Sequence, residues 1–331
     1  MNWELIFSSA VYTSINAFAA AVCLIAVGLN VHVGYTGLLN FGQAGFAAVG
    51  AYAFAIPIIE YGWPWYAALG LVVVCSIALS LVLGLPTLRL RADYLAIVTI
   101  AAAEIIRYFV SSTRFTWLTG GTDGRQGWTE FFSDLNPWVD DDRFWIGAQT
   151  FDGYRLWMMV LGWTVVAVVS VLVWALMRSP WGRVLKSIRE DEDAARALGK
   201  NVVAFKLQSL IIGGLIGSLG GLLLAAQTQA ATPGQFAPNL TFICFTVIII
   251  GGLGRAKGPI VGTMIFFFVY GFVDTLLSQA TRRDKLPDWL VATDNFSQVK
   301  FIVAGVALAA LVVFRPQGIF GDRREQVFDV R

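Results

Sequence analysis

The 331-residue chain is 57% hydrophobic and only 14% charged, with a formal net charge of +2. A soluble domain carries about 25% charged residues, so this composition excludes a water-coated globule of the same size. The expected surroundings are membrane lipid, and no nucleic-acid partner is expected.

Charges are missing from Leu5 to Ile59, 55 residues, and from Leu207 to Gly254, 48 residues. Shorter charge-free runs cover Tyr61 to Leu88 and Leu156 to Met177. One helix crosses the hydrocarbon core with about 20 apolar residues, so each long run must cross more than once. The runs are continuous, whereas barrel strands read as alternating segments. The fold class is therefore all-α, a polytopic transmembrane helix bundle.

In chain order, nine spans are predicted near 6–29, 38–59, 65–85, 94–111, 156–177, 206–226, 240–254, 259–278 and 297–314. The start, MNWELIF, lacks a basic n-region, so the first apolar segment is read as a retained span. Residues 240–254 are short enough for a half-crossing, and the ninth span has a short apolar core. Cys23, Cys75 and Cys244 lie in apolar runs without a CxxC, as small buried hydrophobes do.

Alternating nine spans puts 30–37, 86–93, 178–205, 255–258 and the tail from 315 on one side. With Lys206 at its edge, that side holds 15 of the 24 Lys and Arg. Cytoplasmic loops are enriched in both, so the N-terminus is expected outside and the C-terminus inside. The chain then reads as a single transmembrane unit over 1–331, with an external loop at 112–155, a cytoplasmic loop at 178–206 and a cytoplasmic tail at 315–331.

In the second span, Gly34, Gly37, Gly42, Gly45 and Gly50 permit close packing or an unwound segment. Irregular backbone at membrane depth survives only when buried or lining a watery cavity. Asn40 and Gln43 need polar partners there and are candidate pathway-lining residues. In the fourth span, Glu104 and Arg107 share a helix face. Two readings stand: a structural ion pair, or Glu104 as a pathway residue.

The 178–206 loop is the most polar part of the chain. Pro180 follows a span end, and Asp191 or Asp193 can cap a new helix. Ala194, Ala195, Ala197 and Leu198 form helices well, and Gly199 can end one in the left-handed conformation. This predicts a short helix across the cytoplasmic face, able to lodge in a partner's groove, with a solvated connector as the alternative.

EDEDAARALGKNVVAFKLQSL resembles the coupling loop of ABC importer permeases, closest to permease subunits of branched-chain amino-acid importers. GYTGLLNFGQAGFAAVGAY, LTGGTDGRQG, IGGLGRAKGPIVG and SPWGRVLKSIRED match that family in the same order, covering about residues 20–320. Gln43 stands where His is expected after Phe-Gly, and Arg255 and Ala256 interrupt the glycine-rich turn. The resemblance implies that Glu190, Asp191, Asp193, Ala194, Ala195, Leu198 and Gly199 couple to an ATPase. It also implies a second homologous permease, two ABC ATPase subunits and an external solute-binding protein. Branched-chain or other small amino acids are the family's cargo, with urea and short amides carried by relatives.

Enzymatic readings fail on motifs. GLGRAKG lacks the GxxxxGK[ST] order, and the one Gly-Lys pair, Gly199-Lys200, is followed by Asn201. With His32 as the sole histidine, no conventional catalytic triad or HExxH exists, and neither cofactor nor metal is expected. An ion-coupled secondary transporter is the rival from another class, since such proteins use broken helices and intramembrane charges.

Overall fold

The computed structural model describes residues 2–87, 92–138 and 143–281, together with residues 302, 303, 305, 306, 309, 313, 318 and 319. α1 (Trp3–Ile15) starts at Asn2, whose side chain accepts a hydrogen bond from the Leu5 amide. Asn16 ends it with ψ near 170° and caps α2 (Ala17–Asn30), accepting from Ala19 N at 2.8 Å. A short amide that satisfies an orphan N–H can stop and restart a helix inside an apolar run. The span expected at 6–29 is therefore two helices.

α2 continues through a π turn, Val31–Tyr35. Residues 37–42 then leave the helical conformation, and α3 (Gln43–Tyr61) starts at Gln43, not near 38 as expected. α4 (Trp65–Thr87) and α5 (Ala92–Ser111) follow the expected spans closely.

Segment 112–155 holds two short helices, α6 (Thr116–Thr119) and α7 (Glu130–Asp134). β1 (Arg125–Gln126) lies between them, and β2 (Arg143–Ile146) forms a hairpin with β3 (Gln149–Asp152). α8 (Gly153–Arg178), α9 (Pro180–Glu190), α10 (Glu192–Ala197) and α11 (Val202–Gln227) come next. β4 (Ala230–Ala231) pairs antiparallel with β1, fastening the 112–155 segment to the end of α11. α12 (Pro238–Gly251) and α13 (Gly258–Thr281) complete the described helices.

Seven helices among the described residues are long and apolar enough to cross a membrane. α12 has 14 residues, about 21 Å of helix, too short for a ~30 Å core. The ninth expected span, 297–314, and the tail from 315 fall outside the described residues except at scattered positions.

Contacts Asn2–Gln279, Ser9–Thr275 and Phe18–Phe267 show that α1 and α2 both run antiparallel to α13. The centre is α2 and α11, whose most apolar windows are 83% and 78% buried, against 22% for α5 and 28% for α8. Apart from the Glu104–Arg107 pair on α5 these windows are apolar, so the outward faces of α5 and α8 must meet lipid or another subunit.

Small residues let α11 approach α3 closely. Ser218 Oγ donates to Phe46 O at 2.8 Å and receives Ser76 Oγ at 2.7 Å, joining α11, α3 and α4. A Cβ on Gly221 would overlap the Ala47 carbonyl. Gly221→Val is therefore expected to lose most monodisperse protein in detergent, overpacking by more than the usual ~1–3 kcal/mol. Gly70→Ala, where a Cβ meets nothing within 4 Å, is the control and should match or exceed the parent in thermal stability. Equal yields for both variants would contradict the packing account.

Candidate functional site: a helical hook tied to a broken span

Pro180 occupies the first turn of α9, where its missing N–H costs nothing. One face of α9 buries Gly182, Leu185 and Ile188. At Asp191 the backbone turns extended (φ −152°, ψ 106°), ending α9, and the Asp191 carboxylate accepts from Ala194 N at 2.9 Å to cap α10. α10 closes at Gly199, whose φ of +75° favours glycine. There Lys200 N donates to Ala195 O at 3.2 Å and Gly199 N to Arg196 O at 3.0 Å. Asn201 then caps α11 through Ala204 N at 3.1 Å. Three capped helices thus form a hook.

The expected coupling residues divide by exposure. Glu190, Asp191, Asp193, Ala194, Leu198 and Gly199 are exposed, Leu198 at 79%. Ala195 points inward and packs with Ile188 and Val202, with Val184 and Phe205 half-buried around them. The sequence reading grouped Ala194, Ala195, Ala197 and Leu198 as helix formers without distinguishing among them; the structure uses Ala195 as the anchor and leaves Ala194, Ala197 and Leu198 outside. Glu192 braces the hook by pairing with Arg196 at 3.0 Å and with Lys206 at the start of α11.

Arg189 joins this hook to the end of the first span. Its Nη1 donates to Gly34 O at 2.5 Å, within the π turn of the first span. Its aliphatic stem lies against Gly37, where an added Cβ would stand 3.3 Å from Arg189 Cγ. Just before that turn, at the end of α2, Asn30 Oδ1 accepts from Gly254 N at 3.0 Å and Asn30 Nδ2 donates to Arg255 O at 3.1 Å. The α12–α13 turn is thereby linked to the broken span as well.

Side chains from distant helices satisfy the irregular segment. Phe41 N donates to Thr99 Oγ1 at 3.0 Å, and Ala44 N to Thr241 Oγ1 at 2.9 Å. Asn40 Oδ1 accepts from Gly42 N at 2.8 Å, while its Nδ2 donates to His32 Nδ1 at 2.9 Å and Gln43 Oε1 at 3.2 Å. Gln43 Nε2 donates to Ile25 O and Gly213 O. His32 Nε2 meets the Leu210 carbonyl at 3.2 Å. A carbonyl only accepts, so Nε2 carries the proton and Nδ1 accepts from Asn40, which fits a neutral imidazole. Asn40, Gln43 and His32 are each fully buried within this chain.

Glu104 lies elsewhere, in a two-pronged pair with Arg107 at 2.9 and 2.6 Å on α5. About a quarter of each side chain is exposed, and the Arg107 guanidinium sits 4.6 Å from the Tyr108 ring centre. The sequence reading missed Asn30, Thr99, Arg189 and Thr241. Their only signal is polarity next to a helix end or inside an apolar run.

Residues 11–311 match the family described as branched-chain amino acid transport system, permease component. The chain is 29% identical to the high-affinity branched-chain amino acid transport system permease protein LivM of Salmonella typhimurium, over 92% of this chain and 68% of that protein. It is 24% identical to the probable LivM of Methanocaldococcus jannaschii, over 91% of this chain and 90% of that one. The ribose import permease protein RbsC of Haemophilus influenzae is 25% identical over 61% of this chain and 62% of its own length. No solved structure matches. The chain is a multi-pass protein of the bacterial inner membrane and a transport subunit, not an enzyme. The hook, the broken span and seven long apolar helices all lie inside the matched region, and the chain belongs to the family of permease components of branched-chain amino acid transport systems.

Proposed function

We propose that this chain is the membrane-spanning permease subunit of an ATP-driven importer of branched-chain or other small amino acids. It would work with a second homologous permease, two ABC ATPases and an external solute-binding protein. Nine crossings with the N-terminus outside agree with the Lys and Arg bias, and the hook then faces the cytoplasm.

The observation that carries this reading is the hook itself: a rigid, capped projection with an exposed tip and a buried root. An ATPase groove would hold Leu198, Ala194 and the acidic rim at Glu190, Asp191 and Asp193. Closure of the two ATPases would displace α10 and, with it, α9. Arg189 would pass that displacement to Gly34, and Asn30 would pass it to the α12–α13 turn. Packed networks with discrete arrangements carry such coupling. In this scheme Asn40 and Gln43 hold the broken segment in register, since each already has protein partners. Glu104, partly open on α5, remains the pathway candidate.

Reconstitution decides between this reading and its rivals. Proteoliposomes are expected to accumulate leucine only with ATPases, ATP and receptor present. Uptake driven by an ion gradient alone would overturn the importer reading in favour of a secondary transporter. Uptake of urea in place of leucine would keep the mechanism and change the cargo.

A further inference from the structure

A second built site lies beside the hook. A cavity of about 310 Å³ opens where α8, α9 and the α12–α13 turn converge. Its walls carry Arg178, Lys186, Arg255 and Lys257 on a floor of Trp174 and Tyr35, and no acidic residue is among the described residues that line it. Arg178, Lys186 and Lys257 form no ion pair among the described residues, so their charges repel one another across the cavity, and an anion placed between them relieves that repulsion.

The two aromatic rings hold the cations ready. The Arg178 guanidinium lies 4.0 Å from the Trp174 ring centre, and Lys186 Nζ lies 5.9 Å from that of Tyr35. These contacts orient the charges without neutralising them. Among the described residues, neither Arg178 nor Lys186 forms an ion pair.

Position selects the kind of anion. Val171, Trp174 and Arg178 recur at helical spacing along one face of α8. Val171 is 61% exposed, and Val168 and Leu172 beside it are also more than half exposed. An apolar stripe thus runs directly into the cationic cavity at the end of a span. Free phosphate has no use for the stripe, whereas a phospholipid matches both parts.

We propose that this cavity binds the phosphate headgroup of an anionic phospholipid, with its acyl chains along the Val168–Val171–Trp174 face of α8. The bound lipid bridges α9 of the hook to the α12–α13 turn, the same two parts that Arg189 and Asn30 join to the broken span. Binding itself does not depend on the importer reading, but an effect of the lipid on uptake does.

Native mass spectrometry of the full complex, released from detergent with added phosphatidylglycerol or phosphatidylcholine, tests the site. The parent is expected to retain phosphatidylglycerol preferentially. The double variant Lys186→Gln/Lys257→Gln is expected to bind it about tenfold or more weakly, with phosphatidylcholine unaffected. Lys186→Arg/Lys257→Arg should keep the preference, which separates lost charge from lost folding. Equal phosphatidylglycerol binding by the parent and the Gln variant would overturn the proposal. Displacement of the lipid by millimolar inorganic phosphate alone would assign the cavity to a small anion instead, also overturning it. Loss of an ATPase subunit from the Gln variant, with lipid binding intact, would mark the cavity as a protein contact and equally overturn it. Failure of leucine uptake in the parent would sink the importer reading and leave this result standing.

Discussion

Ala195→Asp is expected to abolish ATP-driven uptake while the protein still inserts and purifies. Ala195 is buried among Ile188, Val202, Val184 and Phe205. An uncompensated charge there costs about 3–5 kcal/mol. α10 has six residues, far fewer than the ~12–15 an isolated helix needs. It persists through the Asp191 cap, the Gly199 turn and the Ala195 anchor, so losing the anchor unfolds the hook locally. Each 1.4 kcal/mol is a factor of ten, so the ordered hook population, and uptake with it, should fall by about 100-fold or more. The spans are spared, because α10 touches the long helices only at the start of α11, at Val202 and Phe205, and those helices bury the rest of their faces against one another. Ala195→Ser, with little change in volume, should stay close to the parent. Leucine uptake in proteoliposomes, with protein yield and thermal stability as controls, reads the difference. Full uptake by the Asp variant would contradict the role given to α10.

Arg189→Ala is expected to separate ATP hydrolysis from transport. The substitution removes the donor to Gly34 O and the cover over Gly37. It leaves Leu185 and Ile188 buried, so α9 keeps its seat. A hydrogen bond from a charged group contributes about 1.5–3 kcal/mol, and its loss at the joint should lower uptake per ATP by roughly tenfold or more. Hydrolysis by the assembled complex should continue. Arg189→Lys keeps one cation able to reach the carbonyl and should restore part of the ratio, without the planar guanidinium whose Nη1 donates to Gly34 O. The measurement is uptake and phosphate release from the same vesicles. An unchanged ratio in the Ala variant would remove Arg189 from the coupling route.

The parts of this architecture that local chemistry controls were legible in the sequence. Charge-free runs located the apolar helices, and the Asp191 cap with Gly199 located the hook. What escaped depended on remote partners. Asn16 reads as one polar residue inside an apolar run until its side chain is seen capping Ala19 N. The break at residues 37–42 and the start of α3 are held by remote helices: Thr99 of α5 accepts from Phe41 N in the break, and Thr241 of α12 accepts from Ala44 N in the first turn of α3. The inward turn of Ala195 was not legible because fewer than two helical turns cannot select a face by periodicity. Arg189 and Gly34 stand 155 residues apart, and nothing near either one announces the other. Asn40 and Gln43 were recognised as needing partners. The structure supplies those partners from His32, Ile25 and Gly213.

The hook's engagement with an ATPase can be observed directly. In the full complex, Leu198→Cys carries a thiol at a highly exposed point of the hook. A short bifunctional reagent is expected to link it to the ATPase subunit with high yield, and the yield should change between nucleotide-free and ATP-bound states. A thiol at position 198 that labels freely with a bulky maleimide in every state, and never links to the ATPase, would contradict the account.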